Sequence, residues 1–169
     1  ERLRIQLRDA KAQLDRFIVK VEIGYPTRSE EIEIIDRRHV RQEDDIVLSQ
    51  VTTPDELLTL RKIIERVYVA PDIEKYIVSL VQETRNSKEV AVGASPRGSL
   101  ALYKTSRARA AVLDRDYVIP DDVKLMAEST LTHRLIVSPS ARIKNVDPRA
   151  VLSEILDSVP VPGTRVRAR

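Results

Sequence analysis

Arg97 stands where a cation needs a chemical explanation. In the run Val90 to Leu100 (VAVGASPRGSL), Gly93 and Ala94 break a helical pattern, Ser95 can accept from the first free amides of a new helix, and Pro96 suits that helix's first position. Arg97 then falls in the first turn, facing the positive end of the macrodipole at a cost of roughly 0.3–1 kcal/mol. An anion nearby reverses that cost, because helix N-termini gather phosphate and an arginine fork adds charge and geometry. The same residues also read as a solvated arginine or one paired with a carboxylate, in a chain that is 33% charged. Arg16 follows Asp15 and, from its neighbours alone, reads as a surface ion pair. His39 and His133 are far apart and no cysteine supports them, so the residue types give no zinc site.

The sequence holds no complete nucleotide site. A phosphate-cradling GxxxxGK[ST] loop is absent, since none of Gly24, Gly93, Gly98 and Gly163 precedes a lysine. No hydrophobic strand ends in the Asp-Glu pair that would hold magnesium, and Asp44 and Asp45 precede Ile46 instead of closing a strand.

These residues need a scaffold, and composition says of what kind. With 42% hydrophobic residues but only 4% aromatic in 169, the core must be Leu, Ile, Val and Ala, which suits helix packing. Absence of cysteine removes disulfides and thiol chemistry and is compatible with the cytosol. No apolar run approaches the roughly 20 residues of a membrane span, and no signal-peptide centre is present. A soluble, cytoplasmic protein without a membrane partner is expected. The net charge of +3 is mild, with a small cluster at Arg165, Arg167 and Arg169. A helical nucleic-acid-binding module, or a purely structural interaction domain, is the competing reading, suggested by the basic pI of about 9.3 and by Arg107, Arg109, Arg115 and Arg134. It lacks an aromatic platform and a continuous basic face, so nucleic acid is not the expected partner.

Along the chain, Leu3, Leu7, Ala10, Leu14 and Phe17 recur at spacings of three and four, one apolar helical stripe. Ile18 to Ile23 become β-branched and predict a short strand, ended by Gly24, Tyr25 and Pro26. No second strand follows, so its sheet must be completed elsewhere or by another molecule. A charged helix is predicted from Ser29 to His39 with Ile32 and Ile35 inward, then a connection over Arg41 to Val51. Thr53, Pro54, Asp55 and Glu56 make a capping box, predicting a helix to Arg66 with Leu57, Leu60 and Ile64 buried. Pro71 opens a helix to Asn86 with Ile73, Ile77, Leu80 and Val81 on one face. The helix opened by Ser95 is predicted to reach Leu113 with Leu100, Tyr103, Ala110 and Leu113 inward. Pro120 opens another, carrying Val123, Met126, Ala127 and Leu131, and Asp147 with Pro148 opens the last, carrying Val151, Leu152, Ile155 and Leu156. The predicted class is mainly α, a helical bundle preceded by one helix and one short strand.

Six motifs in this order resemble the MoxR-type AAA+ ATPases: Ala12 to Phe17 (AQLDRF), Gly24 to Pro26 (GYP), Thr84–Arg85 (TR), Gly93 to Arg97 (GASPR), Arg115 to Val123 (RDYVIPDDV) and His133 to Leu135 (HRL). The resemblance covers residues 11 to 157 and is to the family's C-terminal part. It implies a remnant of the ATPase core over residues 1–26, a linker with a charged helix over 27–52, the helical lid over 53–158 and a disordered tail over 159–169. It further implies that Arg97, with Ser95 and Pro96, is the sensor 2 arginine that reads a nucleotide's terminal phosphate. Arg16 matches the arginine finger directed at a neighbouring subunit's nucleotide. Both roles place positive charge on phosphoryl oxygens. ATP and magnesium would be the parent protein's cofactors, with none expected for this chain alone. Expected partners are the other subunits of a ring oligomer and a von Willebrand factor A domain protein, with self-association through residues 1–24. Residues 1–10 depart from the family pattern. So do Leu113 and Asp114 before RDYV, and Ile119 where a capping Thr or Ser is usual, which predicts an irregular helix start there.

Overall fold

The computed structural model of the chain describes residues 13–163, and within them it is mainly helical, as expected. The helices are α1 (Arg28–Arg41), α2 (Pro54–Ile64), α3 (Pro71–Asn86), α4 (Pro96–Val112), α5 (Pro120–Leu131), α6 (Pro139–Ile143) and α7 (Pro148–Ser158). A two-stranded antiparallel ladder joins β1 (Val90–Val92) to β2 (Ile136–Val137), with Val90 opposite Val137 and Val92 opposite Ile136. A 3-10 turn, Thr132–Arg134, leads from α5 into β2. By contacts the described chain forms two units, residues 13–20 with 61–163, and residues 21–60.

In the larger unit every long helix opens on proline at its first turn, where the missing N–H costs nothing. α3, α4, α5 and α7 enclose an aliphatic core that includes Ile77, Leu80, Leu102, Val123, Leu131 and Leu152. The predicted inner faces of α3, α5 and α7 are the observed ones. α4 differs: Leu100 and Leu113 are at least half exposed, while Leu102, Thr105, Ser106 and Arg107 are buried. Ala110 is buried and Tyr103 packs against the core as expected, but the buried side of α4 is partly polar, so hydrophobicity alone misplaced Leu100 and Leu113. α5 also starts regularly despite Ile119, because the Asp122 carboxylate accepts from the Ile119 amide at 3.0 Å.

The strand expected over Ile18 to Ile23 does not form. This stretch has no regular structure, and its Lys20 amide donates to the Ser129 carbonyl at 2.8 Å. A strand needs a ladder partner, and β1 and β2 satisfy each other. Most of the predicted first helix lies outside the described residues; Gln13 and Leu14 end it, and a turn follows through Phe17. Of the predicted tail, residues 164–169 also lie outside them.

The smaller unit holds α1 and the first seven residues of α2, each helix opened by a complete capping box, Thr27 with Glu30 and Thr53 with Glu56. The box at Thr53 is the predicted one. Neither helix has a buried residue, so Ile32, Ile35, Leu57 and Leu60 are not inward as expected. An apolar stripe buries itself only against another element, and two helices in so short a unit enclose too little.

Candidate functional site

The start of α4 is built as its residue types require. Ser95 Oγ accepts from the Arg97 amide at 3.2 Å, and Pro96 occupies the first helical position. The loop before it is latched to the end of α3. Thr84 Oγ accepts from the Ala94 amide at 3.0 Å and donates to the Val81 carbonyl at 2.6 Å, while Arg85 Nε donates to the Ala94 carbonyl at 2.7 Å. Gly93 passes so close that a methyl group on it would lie 2.6 Å from the Thr84 carbonyl oxygen. The TR and GASPR motifs therefore meet as one device that aims the helix start.

The LDRF turn docks on the same helix start. Asp15 accepts from Ser95 Oγ at 3.0 and 3.3 Å. Its carboxylate is thus an anion at the positive end of α4, supplied from within the chain. Arg134, from the HRL motif, donates through Nη1 and Nη2 to the Phe17 carbonyl at 3.1 and 2.8 Å, and its Nε lies 3.8 Å from Asp15 Oδ1. His133 Nε2 sits 2.8 Å from Arg134 Nη1. The same ring nitrogen lies 3.2 Å from the Phe17 carbonyl, so it faces both a donor and an acceptor. Burial holds His133 below its ordinary pKa, opposed by the Phe17 carbonyl and reinforced by the Arg134 charge. Burial likewise lowers Arg134, with Asp15 opposing and the charge of Arg97 adding to the effect.

Arg16, Arg97, Lys104 and Arg134 surround an open groove of about 380 Å³ in which Asp15 is the one carboxylate and Leu100 and Ala101 supply apolar wall. Arg16 and Arg97, distant in sequence, are brought to one place and both are exposed. The groove has room for a small ligand and an excess of cations suited to phosphate. Sequence reasoning missed Lys104 and Arg134 as members. Lys104 was findable, since it lies two turns beyond Arg97 on the same face of α4. Nothing in the sequence tied Arg134 to Phe17.

The other arginines singled out from sequence are engaged within the fold. Arg107 is buried, donating to Glu65 at 2.7 Å and to the Val67 carbonyl at 3.2 Å, over the Tyr103 ring. Arg115 forks onto Asp122 at 2.6 and 2.8 Å, and Arg109 lies 3.4 Å from the same carboxylate. Burial pushes Asp122 up, but the Arg115 fork, the Ile119 amide and the two positive charges outweigh it and hold the carboxyl below its ordinary value. These contacts explain the RDYVIPDDV motif as structural.

Comparison with known proteins gives a consistent result. The AAA lid domain family model matches residues 82–155. The uncharacterised protein YeaC of Bacillus subtilis is 37% identical, covering 94% of this chain and 49% of its own length. Chaperone MoxR1 of Mycobacterium tuberculosis is 35% identical, covering 90% of this chain and 42% of its own length. The chain thus spans about half the length of these curated relatives. The crystal structure of a candidate ATPase from Cytophaga hutchinsonii superposes with a TM-score of 0.82 at 29% identity, over 89% of this chain and 48% of that one.

Proposed function

The chain belongs to the MoxR-type AAA+ ATPases and corresponds to their C-terminal, lid-bearing portion, and from that premise we propose that its cationic groove contacts the terminal phosphate of ATP in a composite site. Arg97 is the sensor 2 arginine, positioned by Ser95 and Pro96, and Arg16 is the arginine finger. The observation that carries this reading is that both exposed guanidiniums border one groove. A finger acts on a neighbouring subunit's nucleotide, and a shared groove implies that Arg97 serves that same nucleotide in trans. Each guanidinium would stabilise charge developing on phosphoryl oxygens in a dry subunit interface, where such contacts are strongest.

The four cations suit phosphate but not a metal. Among the described residues no group of three metal-ligating side chains occurs. The chain is not assigned the nucleotide's main grip, since it has no phosphate loop. The reading extends to a cytoplasmic, chaperone-like ring that works with a von Willebrand factor A domain protein as partner. Among the described residues no helix is long and apolar enough to cross a membrane.

The test is ATP turnover in a longer protein that joins this chain to its ATPase core. Arg97→Ala and Arg16→Ala should each lower turnover while shifting stability by no more than about 0.5 kcal/mol, as for exposed positions. A large melting shift with turnover intact would make either arginine a structural ion-pair partner instead.

A further inference from the structure

Both neighbours of Arg16 in the chain are tied to the lid. Phe17, which follows it, gives its carbonyl to both terminal nitrogens of Arg134. Asp15, which precedes it, takes the Ser95 hydroxyl, and that hydroxyl in turn accepts from the Arg97 amide. Arg134 itself is almost wholly enclosed, its side chain 2% exposed, and its Nε has no hydrogen-bond partner among the described residues, facing Asp15 at 3.8 Å. A buried guanidinium is costly unless its donors and charge are met. Here the Phe17 carbonyl, the Asp15 charge and His133 Nε2 lie against it and meet all but the Nε donor. Displacing the LDRF turn would strip Arg134 of two of those three, so the turn is held where it is.

We propose that Arg134, together with Asp15, is a positioning residue that fixes the turn carrying Arg16 against the helix start carrying Arg97, so that the two exposed guanidiniums reach one phosphate as a pair. The use of the pair rests on the nucleotide reading above; the clamp itself rests only on the contacts just described. Lysine cannot replace Arg134, because a point charge lacks the fork that spans the Phe17 carbonyl.

The test uses the 169-residue chain with two measurements. In amide hydrogen exchange, Arg134→Lys should speed exchange at Arg16, Phe17 and Lys20 by about tenfold or more while leaving Leu102 in the core of α4 unchanged. Unchanged exchange at those three amides in the folded variant overturns the clamp. If Arg134→Lys does not fold, Asp15→Asn removes the charge while keeping Arg134, and the same acceleration or its absence decides. The second measurement is titration with inorganic triphosphate at low salt, followed by NMR, for Arg16→Ala, Arg97→Ala and the double variant. With Arg134 present the two losses should be coupled, the double departing from their product by about threefold or more, and with Arg134→Lys they should become independent. Coupling that persists in Arg134→Lys overturns the positioning role. If exchange accelerates but neither Arg16→Ala nor Arg97→Ala alters triphosphate affinity, the nucleotide reading is what fails, and the positioning role falls with it.

Discussion

Replacing Gly93 with alanine tests how tightly the loop before α4 is latched. An added methyl would sit 2.6 Å from the Thr84 carbonyl oxygen and 2.7 Å from Arg85 Cγ, closer than carbon tolerates. Arg85 can swing away, but the Thr84 carbonyl is main chain at the end of α3 and cannot yield without moving the helix. Overpacking of this kind costs about 1–3 kcal/mol. For a chain of this size each kcal/mol lowers the melting temperature by roughly 2–4 °C, so Gly93→Ala should melt several degrees below the parent. Gly24 is the internal control, because nothing lies within 4 Å of its would-be methyl, and Gly24→Ala should stay within about 0.5 kcal/mol. Adding Arg85→Ala to Gly93→Ala should bring no rescue, since the carbonyl clash remains and the bond to the Ala94 carbonyl is lost. The assay is thermal and urea unfolding followed by circular dichroism. The reasoning is refuted if Gly93→Ala is as stable as Gly24→Ala, or if Arg85→Ala restores it.

Asp122→Asn should destabilise the fold at neutral pH, because it removes the buried carboxylate on which Arg115 and Arg109 converge, although both arginines keep access to water. Asp122 titrates below its ordinary value in the fold, so its contribution is complete above about pH 4 and fades as pH falls through the lowered value. Urea titrations from pH 7 to pH 3 should therefore show parent and variant converging in acid; a gap that stays constant contradicts this. The chain alone should hydrolyse no ATP, and turnover by purified chain that a point change within it abolishes would overturn that expectation. Light scattering should show self-association of the full chain that is lost from a version beginning at Arg28, whereas two monomers across the micromolar range would exclude residues 1–24 as the contact.

Helix starts were legible because their causes are local. Thr53 with Glu56, Ser95 with Pro96, and Asp147 with Pro148 satisfy free amides within three residues, and all three cap as the sequence implies. The faces of α3, α5 and α7 were legible because their buried residues are nearly all aliphatic. α4 was less so, since Thr105 and Arg107 are buried where the Ala101, Leu102 and Val67 carbonyls and Glu65 accept from them, and Ser106 is buried beside them without a hydrogen-bond partner for its hydroxyl among the described residues. The β1–β2 ladder escaped notice because three residues pairing with two leave no periodic trace. The stripes on α1 and α2 predicted a buried face and could not say against what.

Of the candidate site, the sequence by itself determined that Arg97 would sit in a first helical turn capped by Ser95, because capping and proline geometry act over a few residues. The order of its motifs also carried the resemblance to the MoxR-type AAA+ ATPases on which the proposed roles of Arg16 and Arg97 rest. Only the tertiary structure decided that Asp15 would meet Ser95, that Arg134 would hold the Phe17 carbonyl, and that Lys104 would share a groove with both arginines. Those meetings depend on how α3, α4 and α5 pack their aliphatic faces, and that packing brings together residues whose separation along the chain carries no signal of contact.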